Sequence, residues 1–121
     1  MAATTEIHVT FDCVEVDAQA AFWAAALDYL PYGSSGQYRS LVPPPGLNGP
    51  KFVLQETGEP KPATKNRFHL DLVVGDHLDS EVVRLIGLGA TRLTPGTIDE
   101  AGTSWVVMAD PEGNEFCLVV R

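Results

Sequence analysis

Apolar and polar residues alternate along residues 7–16, and the same plan returns at residues 68–77, an offset of 61. Ile7-His8-Val9-Thr10-Phe11-Asp12-Cys13-Val14 lies over Phe68-His69-Leu70-Asp71-Leu72-Val73-Val74-Gly75, apolar on apolar at three alternate positions with His on His between them. Period-two alternation predicts half-buried strands. Ile7, Val9, Phe11 and Cys13 then share one face, as do Phe68, Leu70, Leu72 and Val74. His8, Thr10 and Asp12, and Arg67, His69 and Asp71, take the opposite face.

Helical spacing follows each strand. Phe22, Trp23, Ala26, Leu27 and Leu30 recur at three and four, predicting a helix capped by Asp17 and ended by Pro31. Val82, Val83, Leu85 and Ile86 predict a shorter helix capped by Asp76 or Asp79 and stopped by Gly87 and Gly89. Further strands are expected over residues 38–42, 51–56, 105–109 and 115–120, with a weak one at 91–94. Pro43-Pro44-Pro45-Gly46 and Asp110-Pro111-Glu112-Gly113 are turns at equivalent places, and residues 57–66 connect the halves. Each half is strand, helix, then two or three strands, giving one domain over 1–121 with modules at about 5–57 and 66–121.

Period two also divides the last strands. Phe52 and Leu54, and Phe116, Leu118 and Val120, point to the helices; Lys51, Val53 and Gln55, and Glu115, Cys117 and Val119, point away. The face away from the helices therefore gathers His8, Asp12, Gln55, Arg67, His69, Asp71 and Cys117, with Trp105 added by parity, and reads as a ligand pocket rather than a core. Each of these has a plainer reading. The histidines can satisfy sheet hydrogen bonds, the charged residues can pair across strands, Cys117 can be a small buried hydrophobe and the tryptophans can be core. His77 reads as a solvated loop residue.

Composition narrows the chemistry. Eight Lys plus Arg against 16 Asp plus Glu give a formal net charge of -8 over 121 residues, which repels phosphate backbones and anionic lipid, so neither nucleic acid nor membrane is an expected partner. No apolar run approaches a membrane span and the N-terminal residues lack a signal-peptide pattern, so a cytoplasmic protein with Cys13 and Cys117 reduced is expected. No Ser-His-Asp order, glycine-rich phosphate loop or Cys-x-x-Cys element is present, leaving hydrolysis, nucleotide binding and dithiol chemistry without support.

The two strand-one segments, Ala21-Phe22-Trp23-Ala24-Ala25-Ala26-Leu27, Lys65-Asn66-Arg67-Phe68-His69-Leu70-Asp71-Leu72 and Asp110-Pro111-Glu112-Gly113-Asn114-Glu115-Phe116-Cys117-Leu118 together resemble the vicinal oxygen chelate superfamily, the glyoxalase, bleomycin-resistance and extradiol-dioxygenase group, in its glyoxalase-like branch. The resemblance covers essentially the whole chain. It implies an α+β fold of two βαβββ modules, forming a curved mixed sheet around a cavity with helices on the outer face. Metal-using members take a His or Gln from the first strand of each module and a Glu from the last. His8 and His69 stand at the first-strand positions, but Cys117, and Gln55 or Val53, stand where the glutamates would be.

A conventional metal centre is therefore not expected. Should a divalent ion such as Zn, Ni, Mn or Fe bind, the ligands implied are His8, Gln55, His69 and Cys117. The leading expectation is a homodimeric protein that binds a small organic molecule, either sequestering a toxic compound or supporting metal-free chemistry. A metal-dependent lyase, isomerase or dioxygenase and a non-catalytic structural or regulatory module stay open beside it, and no residue is assigned a catalytic role.

Overall fold

Alternating strands with one apolar face need a cover, and each half of the chain supplies it with its own helix. The computed structural model describes residues 2–120. Backbone contacts divide the chain into two units, Met1–Pro60 and Lys61–Arg121. In the first, β1 (His8–Cys13) is followed by α1 (Val16–Leu27), β2 (Leu30–Ser35), β3 (Tyr38–Val42) and β4 (Lys51–Glu56). In the second, β5 (Leu70–Val73) is followed by α2 (Leu78–Leu88), β6 (Thr91–Arg92), β7 (Ile98–Glu100), β8 (Thr103–Ala109) and β9 (Glu115–Val120). This is an α+β fold of βαβββ modules, with β6 and β7 together lying along one side of β8 where the first unit has the single strand β2.

Both sheets are mixed, and their orders match: β1-β4-β3-β2 in one, β5-β9-β8-β6 in the other. In each, the first strand pairs parallel with the last, β1 with β4 and β5 with β9, and the other pairings are antiparallel. α1 packs on β3 and β4, burying Phe22, Trp23 and Ala26 against Leu41, Phe52 and Leu54. The rings interlock, with Trp23 5.3 Å from Phe11, Phe11 5.2 Å from Phe52 and Tyr29 5.4 Å from Phe52, all tilted or edge-on as ring quadrupoles prefer. In the second unit α2 lays Val82 and Leu85 on the sheet, where Phe116, Leu118, Val106 and Met108 are buried.

Several element ends differ from expectation, each for a local reason. α1 begins after Glu15, with Asp17 in its first turn bonded to Arg39 at 2.8 Å instead of capping. It stops at Asp28, which turns left-handed at φ 55°, not at Pro31. Pro31 instead lies inside β2, tolerated because β2 is an edge strand and its register shifts between Pro31 and Gly33. His77, not an aspartate, holds the N-cap position of α2, and Gly87 lies within that helix, which ends at Gly89. β7 exists because Ala101 and Gly102 form a two-residue hairpin loop with both φ positive, 52° and 79°.

The Asp110-to-Asn114 turn has the expected place and a built interior. Buried Asp110 accepts from the backbone amides of Glu112 (2.9 Å) and Asn114 (3.0 Å) and from the Asn114 side chain, while Gly113 takes φ 91°. The connection ahead of β5 is anchored to β9. Lys61 Nζ lies 3.2 Å from Glu115 Oε2 and also donates to the Pro62 and Thr64 carbonyls, and the Asn66 amide donates to Glu115 Oε1 at 2.8 Å. Cys13 and Cys117 are both free and buried. Among the described residues no helix is long and apolar enough to cross a membrane.

Candidate functional site

With the helix-facing side of each sheet packed, chemistry is left to the other side, and strand register decides which side chains share a row there. In the first unit His8 lies opposite Lys51, Thr10 opposite Val53, which in turn faces Ser40, and Asp12 opposite Gln55, which in turn faces Tyr38. His8 Nε2 is 2.6 Å from Glu6 Oε1, a partner the alternation of β1 does not reveal because Glu6 precedes the strand. Gln55 is half-buried and Asp12 exposed. At the His8 end an open depression of about 900 Å³ is lined by residues including Ile7, His8, Tyr32, Val42 and Lys51. Lys51 Nζ sits 5.1 Å from the centre of the Tyr32 ring, a cation–π distance.

In the second unit the rows are Asp71, Cys117 and Val107, then Val73, Val119 and Trp105. Parallel pairing of β5 with β9 sets the Asp71 carboxylate beside the Cys117 thiol, and His69, one residue ahead of β5, reaches back to it with Nε2 3.2 Å from Asp71 Oδ1. One donor atom from each of His69, Asp71 and Cys117 lies within 4.8 Å of the other two. Cys117 is only 8% exposed, whereas the histidine and aspartate open to solvent. Trp105, half-buried, is one row away.

Arg67 departs from expectation. The strand parity that placed it on this face does not reach it, because β5 starts at Leu70 and residues 67 and 68 form a bend. Phe68, expected on the core side, is 95% exposed for the same reason. The backbone leaves the ladder where the Asn66 amide turns to the Glu115 carboxylate.

The electrostatics of the second row restrict its chemistry. Burial pushes the Cys117 thiol up, and the Asp71 charge and hydrogen bond push the same way, against a smaller opposing pull from Lys65. A nucleophilic cysteine needs the reverse, a cation or helix N-terminus favouring thiolate. The row is thus a thiol, a carboxylate and an imidazole that converge without an activated nucleophile.

The donor set can also be weighed against Mn²⁺, one of the divalent ions the superfamily resemblance allows. Mn²⁺ favours carboxylate, carbonyl and water oxygens. The last strands present Gln55 and Cys117, an amide and a thiol, in place of two carboxylates, so these residues do not fit a hard, oxygen-rich Mn²⁺ centre.

Comparison with known proteins agrees with the fold. No curated protein matches the chain. Among solved structures, a glyoxalase/bleomycin resistance protein/dioxygenase family enzyme from Burkholderia phytofirmans PsJN is similar with a TM-score of 0.74 at 18% identity, covering 93% of this chain and 95% of its own. The fosfomycin resistance protein FosX from Listeria monocytogenes, a mutant complexed with Mn(II) and dihydroxypropylphosphonic acid, gives 0.76 at 15% identity, covering 98% and 90%. FosX from Mesorhizobium loti gives 0.73 at 14% identity, covering 100% and 94%. The sequence profile of the glyoxalase-like domain matches residues 8–119, nearly the full length, and the chain belongs to the glyoxalase-like domain family.

Proposed function

We propose that this glyoxalase-like domain binds a small organic molecule on the polar faces of its sheets, without the two-imidazole, two-carboxylate metal centre of its metal-using relatives. The observation that carries the reading is the convergence of His69, just ahead of β5, on the Asp71–Cys117 row, with half-buried Trp105 in the next row, on the sheet face that α2 does not cover. A few convergent polar groups beside aromatic surface are what orient a small ligand. Sequestration of a toxic compound suits the set, and relatives named for bleomycin and fosfomycin resistance support it. The same reading has the protein working as a cytoplasmic homodimer, which light scattering and cell fractionation check.

A panel of dicarbonyls, phosphonates and polar aromatics, added with chelator present, tests the reading through melting temperature and tryptophan fluorescence. A ligand at about 100 times its Kd stabilises the fold by about 2.7 kcal/mol. A response weakened in His69→Ala is expected; silence across the panel refutes the reading. Metal-dependent chemistry is the second reading, favoured by the proximity of three ligand-type side chains, and activity restored only by added metal would select it.

A further inference from the structure

The geometry points to a thiophilic metal site built within the second unit alone, with His69, Asp71 and Cys117 holding Zn²⁺ and selecting against Mn²⁺. The site goes beyond the binding reading, which needs no metal. Its ligand set differs from the one the sequence implies by including Asp71, which stands in register beside Cys117 on the adjacent parallel strand and supplies a carboxylate from β5, the Glu115 carboxylate of β9 being held by Lys61 and the Asn66 amide.

Distances support the set. Tetrahedral Zn²⁺ with bonds of about 2.0–2.3 Å to N, O and S puts its ligand atoms roughly 3.3–3.6 Å apart. His69 Nε2 and Asp71 Oδ1 are already 3.2 Å apart, and all three donors lie within 4.8 Å of one another. Closing the remainder needs rotation of His69 and Asp71, both exposed, about a thiol fixed in a central strand. Charge closes too: a thiolate and a carboxylate cancel the ion, and a thiol that ligates the metal gives its proton to solvent. Thiolate and imidazole suit Zn²⁺, whereas Mn²⁺ prefers oxygen donors, so the donor set itself selects. Three protein ligands leave a fourth position for water or for an oxygen or sulfur donor of a bound molecule.

Two other features carry less. The depression beside His8 is open and holds one imidazole already bonded to Glu6, and the Lys61–Glu115 pair is satisfied within the connection.

The test uses the full chain, stripped with chelator and titrated calorimetrically with Zn²⁺ and with Mn²⁺, and with Co²⁺ as an optical stand-in for zinc. One Zn²⁺ per chain is expected, bound more than about tenfold tighter than Mn²⁺. The Co²⁺ form should show a thiolate-to-metal charge-transfer band. Cys117→Ser abolishes the band, Asp71→Asn and His69→Ala weaken zinc binding, and Cys13→Ser and His77→Ala change neither. Asp71 and His69 are exposed, so their variants keep the test valid should Cys117→Ser fail to fold. No zinc uptake, Mn²⁺ bound as tightly as Zn²⁺, or a band that survives Cys117→Ser or is lost in Cys13→Ser overturns the assignment. Since these titrations contain no organic ligand and the ligand panel contains chelator, each proposal fails on its own evidence.

Discussion

Replacing Lys61 by Met should destabilise the protein far more than a surface charge substitution does. Lys61 and Glu115 side chains are each 10% exposed and their charged atoms are 3.2 Å apart. At an effective dielectric constant of about 20, that separation corresponds to roughly 5 kcal/mol of gross attraction, most of it offset by desolvation. Removing the lysine leaves the Glu115 carboxylate with the Asn66 amide, and breaking a buried pair from one side costs about 3–5 kcal/mol. Glu115→Gln should cost less, about 1–3 kcal/mol, because Lys61 keeps two backbone carbonyls and the glutamine oxygen can still accept from Asn66. The double variant should fall short of the sum by about 0.5–3 kcal/mol.

Burial works to raise the Glu115 carboxyl, but the Asn66 amide and then Lys61 outweigh it and hold it below its ordinary value. A depressed folded-state value means the contribution is complete above the unfolded carboxylate pKa, about 4.3, and is lost as pH falls through the lower folded value. Urea unfolding of the four proteins between about pH 7 and about pH 3 measures both effects. Additive single costs below about 1 kcal/mol, the range of an exposed pair, would refute the reasoning.

Other substitutions probe the scaffold around the rows. Leu118→Ala removes a side chain with no exposure from beneath α2 and should cost about 2–5 kcal/mol in chemical unfolding. Ala101→Gly relieves a left-handed alanine in the β7–β8 loop and should raise stability by about 0.4–1 kcal/mol, read as a higher melting temperature. Asp110→Ala strips acceptors from two backbone amides in the β8–β9 turn and should cost about 1–3 kcal/mol; an unchanged melting temperature would contradict the turn's role.

What the sequence made legible was periodic. The faces of β1, β4 and the helix side of β9 follow from alternation, because a residue on the wrong face of a packed sheet costs burial at every second position. Pro31 hid β2, since a proline after a helical run reads as a stop and only the edge position makes it tolerable in a strand. Ala101 hid β7, because a loop needing two positive φ values is announced by Asn-Gly or Asp-Gly rather than Ala-Gly. The parity of β5 does not extend to Arg67, because residues 67 and 68 form a bend, just after Asn66 has bonded to the distant Glu115 carboxylate. Asp71 and Cys117 were assigned to one face, but their adjacency depends on parallel pairing between strands 46 residues apart, 117 less 71, and local pattern carries no record of that.

The parallel pairing has a consequence for the order of assembly. Among the described strands, β1 has β4 as its only neighbour and β5 has only β9, whereas β3–β4 and β8–β9 are joined by turns close in the chain. Closing a long loop costs more entropy than closing a short one, so the hairpins form early and each first strand waits for its partner. His69 and Asp71 travel with the strand that docks late, and Cys117 with the one that receives it. The His69–Asp71–Cys117 row is therefore completed by the step that closes its module, and partly folded chains with β5 undocked present the thiol without its histidine and carboxylate.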